Sequence, residues 1–267
     1  MAKQKVLAVR KHLPRLGTRK LYHLLTADFK KEHIAVGRDK LFSILREEQL
    51  LIVKKKRYTK TTDSKHWMHK YPNLIKGLQP THPEHIWVAD ITWLAIKNDY
   101  CYLHLITDAY SKKIMGYEVS DNLSAASTIR ALQMAFQGRK YTSPLIHHSD
   151  RGLQYCSAGY TKLLTNNQVD ISMTQDGSPY DNAIAERVNG ILKDEFGLDD
   201  IFEDIRQARC EVKQSIESYN RLRPHLSNNM LTPVEMHKQN KLKPRAWHKN
   251  PTRTLNGSCG FLPSLQH

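Results

Sequence analysis

The sequence predicts an α/β protein: a mixed five-stranded sheet flanked by helices, preceded by a small helical region. Two observations carry this. From residue 85, three strand-like runs are followed by alternating helical and strand-like runs, in the order β-β-β-α-β-α-β-α-α. Before them, residues 14–50 repeat their apolar side chains with a helical period.

In chain order, LGTRKLYHLLTADF lines up Leu21, Leu24, Leu25 and Phe29, and GRDKLFSILREEQL lines up Leu41, Ile44 and Leu45. Both stretches read as helices, joined by KKEHIAVG. Arg38, Lys40 and Arg46 lie off the second apolar stripe. A helix pair with a basic second helix fits a helix-turn-helix DNA reader over residues 1–52, and equally a plain hairpin with solvating lysines. Residues 53–84 lack periodicity and carry basic runs and prolines, including Lys54, Lys55 and Lys56. They read as an extended basic linker. IWVADITWLAI and YCYLHLITDA form a hairpin around KND, and KKIMGYEVS is a third strand. SAASTIRALQMAFQ is a helix, with Ile129, Leu132, Met134 and Phe136 as its apolar contacts. PLIHHS is a buried strand, YCSAGYTKLLTNN one helix, and VDISMT the last strand. DNAIAERVNGILKDEFG completes a core spanning 85–203. DIRQARCEVKQSIESYNRL opens a helical extension over 204–240, and the basic, Pro/Gly-punctuated 241–267 reads as a loosely ordered tail.

The 267 residues carry a net charge of +15, unevenly spread. Residues 1–60 are net +12 and 205–267 net +8, whereas 81–204 are net −7. Basic ends around an acidic middle suit a polyanionic partner. No apolar run nears the roughly 18 residues of a membrane span. The four cysteines form no C-x-x-C pair, which disfavours a disulfide scaffold and points to a reducing cytoplasm. No heptad run of three or four repeats is present, so no coiled coil is expected.

Three carboxylates stand out by placement. Asp90 lies inside the first strand among apolar neighbours, where an unpaired charge is costly. Asp150 closes the strand PLIHHS, and α/β sites gather at strand ends. Glu186 lies on a helix with Asn182, Asn189 and Lys193 on its polar face, opposite Ile184, Val188, Ile191, Leu192 and Phe196. Hard divalent cations such as Mg²⁺ take oxygen ligands, usually a few carboxylates with waters and substrate phosphate. Two such ions about 4 Å apart clamp the attacking and leaving oxygens of an in-line phosphoryl displacement. His147 and His148 beside Asp150 read as packing residues before metal ligands, and Asp108 as a turn residue.

The segments WVADITWL, LITDAYSKKIMGYEVS, HHSDRGLQY, GSPYDNAIAE and YNRLRPH followed by TPVE resemble one family. So does the spacing, with 59 residues between Asp90 and Asp150 and 35 between Asp150 and Glu186. The chain resembles the Asp-Asp-Glu core of retroviral integrases and insertion-sequence transposases. Within that group it is most similar to the downstream-frame (OrfB type) protein of the insertion-sequence-three family. The resemblance implies an RNase H-like core and a DNA transposase that cleaves and transfers strands of an insertion element. It implies Asp90, Asp150 and Glu186 as catalytic metal ligands, with Mg²⁺ or Mn²⁺, two ions, as cofactor. DNA contacts are expected from Arg38, Lys40, Arg46, Lys54, Lys55, Lys56, Asn182, Arg187 and Lys193. The partners it implies are double-stranded DNA at element ends and target, further copies of the chain on that DNA, and an upstream-frame protein or its fusion. No membrane is involved, and the expected place is the bacterial cytoplasm, at the nucleoid. The first 80 residues contain no cysteine, so the His-His-Cys-Cys zinc module of retroviral integrases is not expected. A nuclease of the same fold, or a DNA-binding regulator with an inactive core, are the rival readings.

Overall fold

A computed structural model describes residues 1–52, 67–175 and 182–244. Lys54, Lys55 and Lys56, and the tail beyond residue 244, lie outside the described residues.

Three helices open the chain, where periodicity alone predicts two: α1 (Ala2–Arg10), α2 (Thr18–Lys31) and α3 (Arg38–Glu47). The first was illegible because only Ala2 and Val6 of its nine residues are buried, too few for a stripe. Val6, Leu13 and Leu16 pack on Leu21, Leu25, Phe29, Leu41 and Leu45, so the expected stripes of α2 and α3 meet each other as well as α1. Each such side chain contributes about 1.5–3 kcal/mol when withdrawn from water.

The sheet consists of β1 (Ile86–Ile96), β2 (Asp99–Asp108), β3 (Ile114–Ser120), β4 (Leu145–Ser149) and β5 (Val169–Met173). Its order is β3-β2-β1-β4-β5. β1, β2 and β3 pair antiparallel, while β4 runs parallel to β1 and β5 parallel to β4. The β1–β2 turn places Asn98 at φ 67°, a left-handed conformation that asparagine tolerates.

Helices cover both faces. On one face α4 (Ala125–Gln137), α5 (Leu153–Cys156) and α6 (Ala158–Asn166) bury Trp87, Ile106, Leu132, Tyr160 and Leu164. The stretch read as one helix from Tyr155 is broken at Ser157, whose extended backbone (φ −64°, ψ 142°) caps α6. Met134, expected as an apolar contact of α4, is exposed; Ala131, Leu132 and Ala135 face the sheet instead. Small residues are needed there because α4 nearly touches β3. A Cβ on Gly116 would lie 2.1 Å from the Ala131 carbonyl oxygen and 2.7 Å from the Ala135 nitrogen.

On the other face α7 (Ala183–Phe196) and α8 (Ile205–Arg221) bury Leu103, Leu105, Val188, Ile191, Leu192, Val212 and Ile216. A short α9 (Pro233–His237) starts at a capping box between Thr232 and Glu235. The α1–α3 cluster docks on this side: Phe196 touches it, and Lys20 pairs with Glu195 at 3.0 Å. Among the described residues no helix is long and apolar enough to cross a membrane.

Candidate active site

Strand register brings two carboxylates together. The last β1–β4 pair is Val88 with His148. Asp90 and Asp150 each lie two residues further along their parallel strands, where the two strand paths separate. The Asp150 carboxylate accepts from the Gly152 N–H at 2.9 Å, which folds the following loop back onto it. Asp90 continues β1, paired with Leu105 of β2, so its position is fixed by ladder bonds.

α7 is fastened over this point by two asparagines. Asn182 donates Nδ2 to the Ala89 carbonyl at 3.1 Å, and Asn189 donates Nδ2 to Asp90 Oδ2 at 2.7 Å. Both are buried, because α7 turns its 182–189 edge toward β1. The expected outward polar face therefore does not hold for them. Asn182, expected among the DNA contacts, is buried and donates to the strand that carries Asp90.

Electrostatics record how crowded the carboxylates are. Burial, reinforced by repulsion from Asp150 and more weakly from Glu186, pushes the Asp90 carboxyl up to about 7, against the opposing hydrogen bond from Asn189. Glu186 is exposed in the first turn of α7. It acts on the charge of Asp90, yet among the described residues no three His, Cys, Asp or Glu side chains are arranged to hold one ion. The donor set nonetheless fits a hard divalent cation: it is all carboxylate oxygen, and Asp150 and Glu186 both repel the charge of Asp90.

The neighbouring histidines pack. His147 Nε2 meets the Tyr160 hydroxyl at 2.9 Å, and burial pushes the imidazole down to about 3. His148 Nδ1 meets Ser172 Oγ at 2.8 Å. Asp108 shapes the predicted turn by accepting from Ser111, but it also faces buried His237, which meets Glu84 on its other nitrogen.

The predicted DNA contacts scatter. Arg38, Lys40 and Arg46 are all exposed on α3, with Arg38 paired to Asp39 at 2.8 Å. Arg187 is exposed beside Glu186 and lines a cleft with Lys20, Lys112, Arg223 and His225. Lys193 places its Nζ 4.4 Å from the centre of the Trp93 ring. Sequence reasoning missed Asn189 as a partner of Asp90 and missed the cationic cleft. The YNRLRPH segment, which contributes Arg223 and His225, was the available signal.

Residues 80–179 and 167–233 each match the integrase core domain family. The insertion element IS600 31 kDa protein of Shigella sonnei is 34% identical over 220 residues, covering 82% of this chain and 79% of that protein. The transposase InsF of insertion sequence IS3A from Escherichia coli K12 is 31% identical over 198 residues, covering 73% of this chain and 69% of that protein. Among solved structures, the simian T-cell lymphotropic virus intasome in complex with PP2A regulatory subunit B56 gamma aligns with a TM-score of 0.52 and 19% identity. That alignment covers 88% of this chain and 80% of that one, and it establishes the fold, an RNase H-like integrase core. With relatives of this identity matched over more than two thirds of their length, the chain belongs to the insertion-sequence-three (IS3) family of transposases.

Proposed function

We propose that this chain cleaves DNA at the ends of an insertion element and joins the freed 3′ ends to a target, using Asp90, Asp150 and Glu186 as its catalytic carboxylates. The observation that carries this reading is the placement of Asp90 and Asp150 at equivalent points of neighbouring parallel strands, close enough that Asp150 adds its repulsion to the burial that pushes the Asp90 carboxyl up to about 7. Buried carboxylates that repel one another at strand ends are the arrangement in which catalytic sites place their perturbed groups.

The three carboxylates would hold two Mg²⁺ or Mn²⁺ ions, which when bound lower the negative charge of the site and activate an oxygen nucleophile for phosphoryl displacement. The chain's own part is positioning. Asn189 holds Asp90 through Oδ2, the Gly152 N–H holds Asp150 through Oδ1, and Asn182 ties α7 to β1 at Ala89. No serine or tyrosine is asked to form a covalent DNA intermediate. Arg38, Lys40 and Arg46 on α3, with Arg187 and Lys193 on α7, supply phosphate contacts to double-stranded DNA. Copies of the chain pair the two ends, and an upstream-frame protein or its fusion adds base readout that three side chains on α3 supply only sparsely.

The test is a strand-transfer assay with labelled element ends and Mg²⁺ or Mn²⁺. Asp90→Asn, Asp150→Asn and Glu186→Gln should each reduce cleavage and joining to background while DNA affinity holds. Retained cleavage in any of the three removes that residue from the triad. Parallel loss of affinity would assign it a structural role.

A further inference from the structure

On the face of α7 that carries Arg187, a cleft of about 680 Å³ opens between α2, α7 and the segment after α8. Its basic side chains come from four separate parts of the chain. Lys20 lies on α2, Lys112 in the β2–β3 turn, Arg187 on α7, and Arg223 and His225 follow α8. Two carboxylates, Glu195 and Asp108, act among four lysine and arginine side chains. Glu195 serves Lys20 at 3.0 Å and Arg223 at 2.6 Å with a single negative charge. Arg187 has no ion-pair partner among the described residues. Lys112 donates Nζ to the backbone carbonyl of Ala109 and feels the attraction of Asp108, a carboxylate that also faces His237.

The groups feel one another. Burial and then repulsion from Arg223 depress Lys20 to about 8, against the pull of Glu195, with Arg187 repelling it more weakly. Burial holds His225 neutral, and Arg223, Lys20, Lys112 and Arg187 all repel its charged form. His225 is 6% exposed, and its buried Nε2 has no hydrogen-bond partner. His225 lines the cleft, and a buried imidazole nitrogen without a partner is one that a small turn of the ring would offer to an acceptor placed there.

We infer that this cleft seats one backbone phosphate of DNA, with Arg187, Lys20 and Lys112 supplying charge and His225 a neutral N–H donor. The inference rests on the transposase reading and adds to it a second anchoring point, apart from the carboxylates. Arg187 directly follows Glu186, and successive helical side chains diverge by about 100°. A strand whose reacting phosphate lies at the carboxylates can therefore place another phosphate on the far side of α7. Arg223 is locked by Glu195 through two hydrogen bonds, of 2.8 and 2.6 Å, and holds the shape of the cleft.

Two measurements on the full chain test this. In the first, DNA affinity is titrated against salt for the wild type and for the Lys20→Gln/Arg187→Gln double variant. Loss of one phosphate contact should lower the slope of log affinity against log salt by about 0.9 on duplex DNA. An unchanged slope in a folded protein overturns the proposal. Should the double variant lose its helical circular dichroism, Arg187→Gln alone, at an exposed position, carries the same comparison. In the second, the His225 imidazole nitrogen signals of the ¹⁵N-labelled protein are identified by their loss in His225→Gln and followed as ligand is added. A shift with a duplex oligonucleotide supports the assignment. A shift with inorganic phosphate but not with duplex identifies a free-anion site and overturns the DNA assignment, as does no shift with either. Asp90→Asn separates this from the catalytic reading, because it should keep both the wild-type slope and the His225 response. If Asp90→Asn still cleaves DNA, the carboxylate reading fails while the cleft result stands.

Discussion

Asn189 on α7 donates its Nδ2 to Oδ2 of Asp90 on β1 at 2.7 Å, joining the helix that carries Glu186 to the strand that carries the most perturbed carboxylate. The bond favours the charged form of Asp90 and so opposes the burial and repulsion that drive its proton affinity up.

Asn189→Ala removes that donor. A hydrogen bond to a charged group contributes about 1.5–3 kcal/mol, equivalent to a tenfold to hundredfold effect. Cleavage near pH 7 should fall by that order, and the acid limb of the pH–rate profile should move to higher pH. Recovery toward wild-type rates at pH 9 would identify charge control of Asp90. An equal deficit at every pH would assign Asn189 to packing alone.

Stability should respond to Asp90 in a definite direction. Its folded value of about 7 lies above the ordinary 3.8, so the proton is held more tightly in the folded state. The contribution is fully present below about pH 4 and is lost as pH rises through about 7. At about 1.4 kcal/mol per pKa unit, this amounts to a few kcal/mol. Thermal melts without added metal should show Asp90→Asn more stable than wild type at pH 8 and indistinguishable at pH 4. Mg²⁺ should raise the wild-type Tm at pH 8 and leave that of Asp90→Asn nearly unmoved.

A second buried charge group works against different limits. His237 on α9 lies 3.2 Å from Glu84 and 3.4 Å from Asp108, and both carboxylates are fully buried. Burial works against all three charges. Even so, hydrogen bonds to its neighbours hold His237 above its ordinary value, and hold Glu84 and Asp108 below theirs. The carboxylate contribution is present above about pH 4 and is lost as pH falls through the depressed values. The histidine contribution is present below about pH 6.5 and is lost as pH rises through the raised one. His237→Ala leaves two buried carboxylates without their shared cation and should cost about 3–5 kcal/mol in denaturant unfolding at pH 6. A cost below 1 kcal/mol would show that the backbone N–H groups of Lys140 and Tyr141, which also reach Glu84, already suffice.

How much of this was legible in the sequence depended on what each residue touches. β1 to β5 announce themselves as short apolar runs because helices cover both faces of the sheet, and α4, α7 and α8 because their apolar residues repeat with a helical period. Asp90 and Asp150 are legible because a carboxylate within, or at the end of, an apolar strand breaks that period. Asn189 falls on the polar side of the α7 repeat, yet it is buried because β1 offers it Asp90. That is a contact between residues 99 apart, which no local pattern encodes. The break at Ser157 was hidden for a similar reason: YCSAGYTKLLTNN reads as one helix, although Tyr155 and Tyr160 pack edge to face across two separate helices. Asp108 looked like a turn residue because its turn partner, Ser111, is three residues away, while His237 is 129 away.

Lys193 gives the last prediction. Its ammonium lies 4.4 Å from the centre of the Trp93 ring, and Trp93 in turn meets Tyr100 edge to face at 5.3 Å. A lysine held over an aromatic ring keeps its charge in place while the ring shields one side from water, worth about 0.5–1 kcal/mol at an exposed site. Such a fixed charge, two turns along α7 from Glu186, is placed to meet a phosphate of DNA lying on the helix. Lys193→Glu should weaken duplex binding and reduce the salt slope by about 0.9, because one counterion-releasing contact is lost. Lys193→Met keeps the aliphatic stem over Trp93 and removes only the charge. It should therefore lower the slope equally while leaving the melting temperature close to wild type. If both variants bind duplex as the wild type does across the salt range, and only Lys193→Glu melts early, the ammonium serves the Trp93 contact and DNA passes elsewhere.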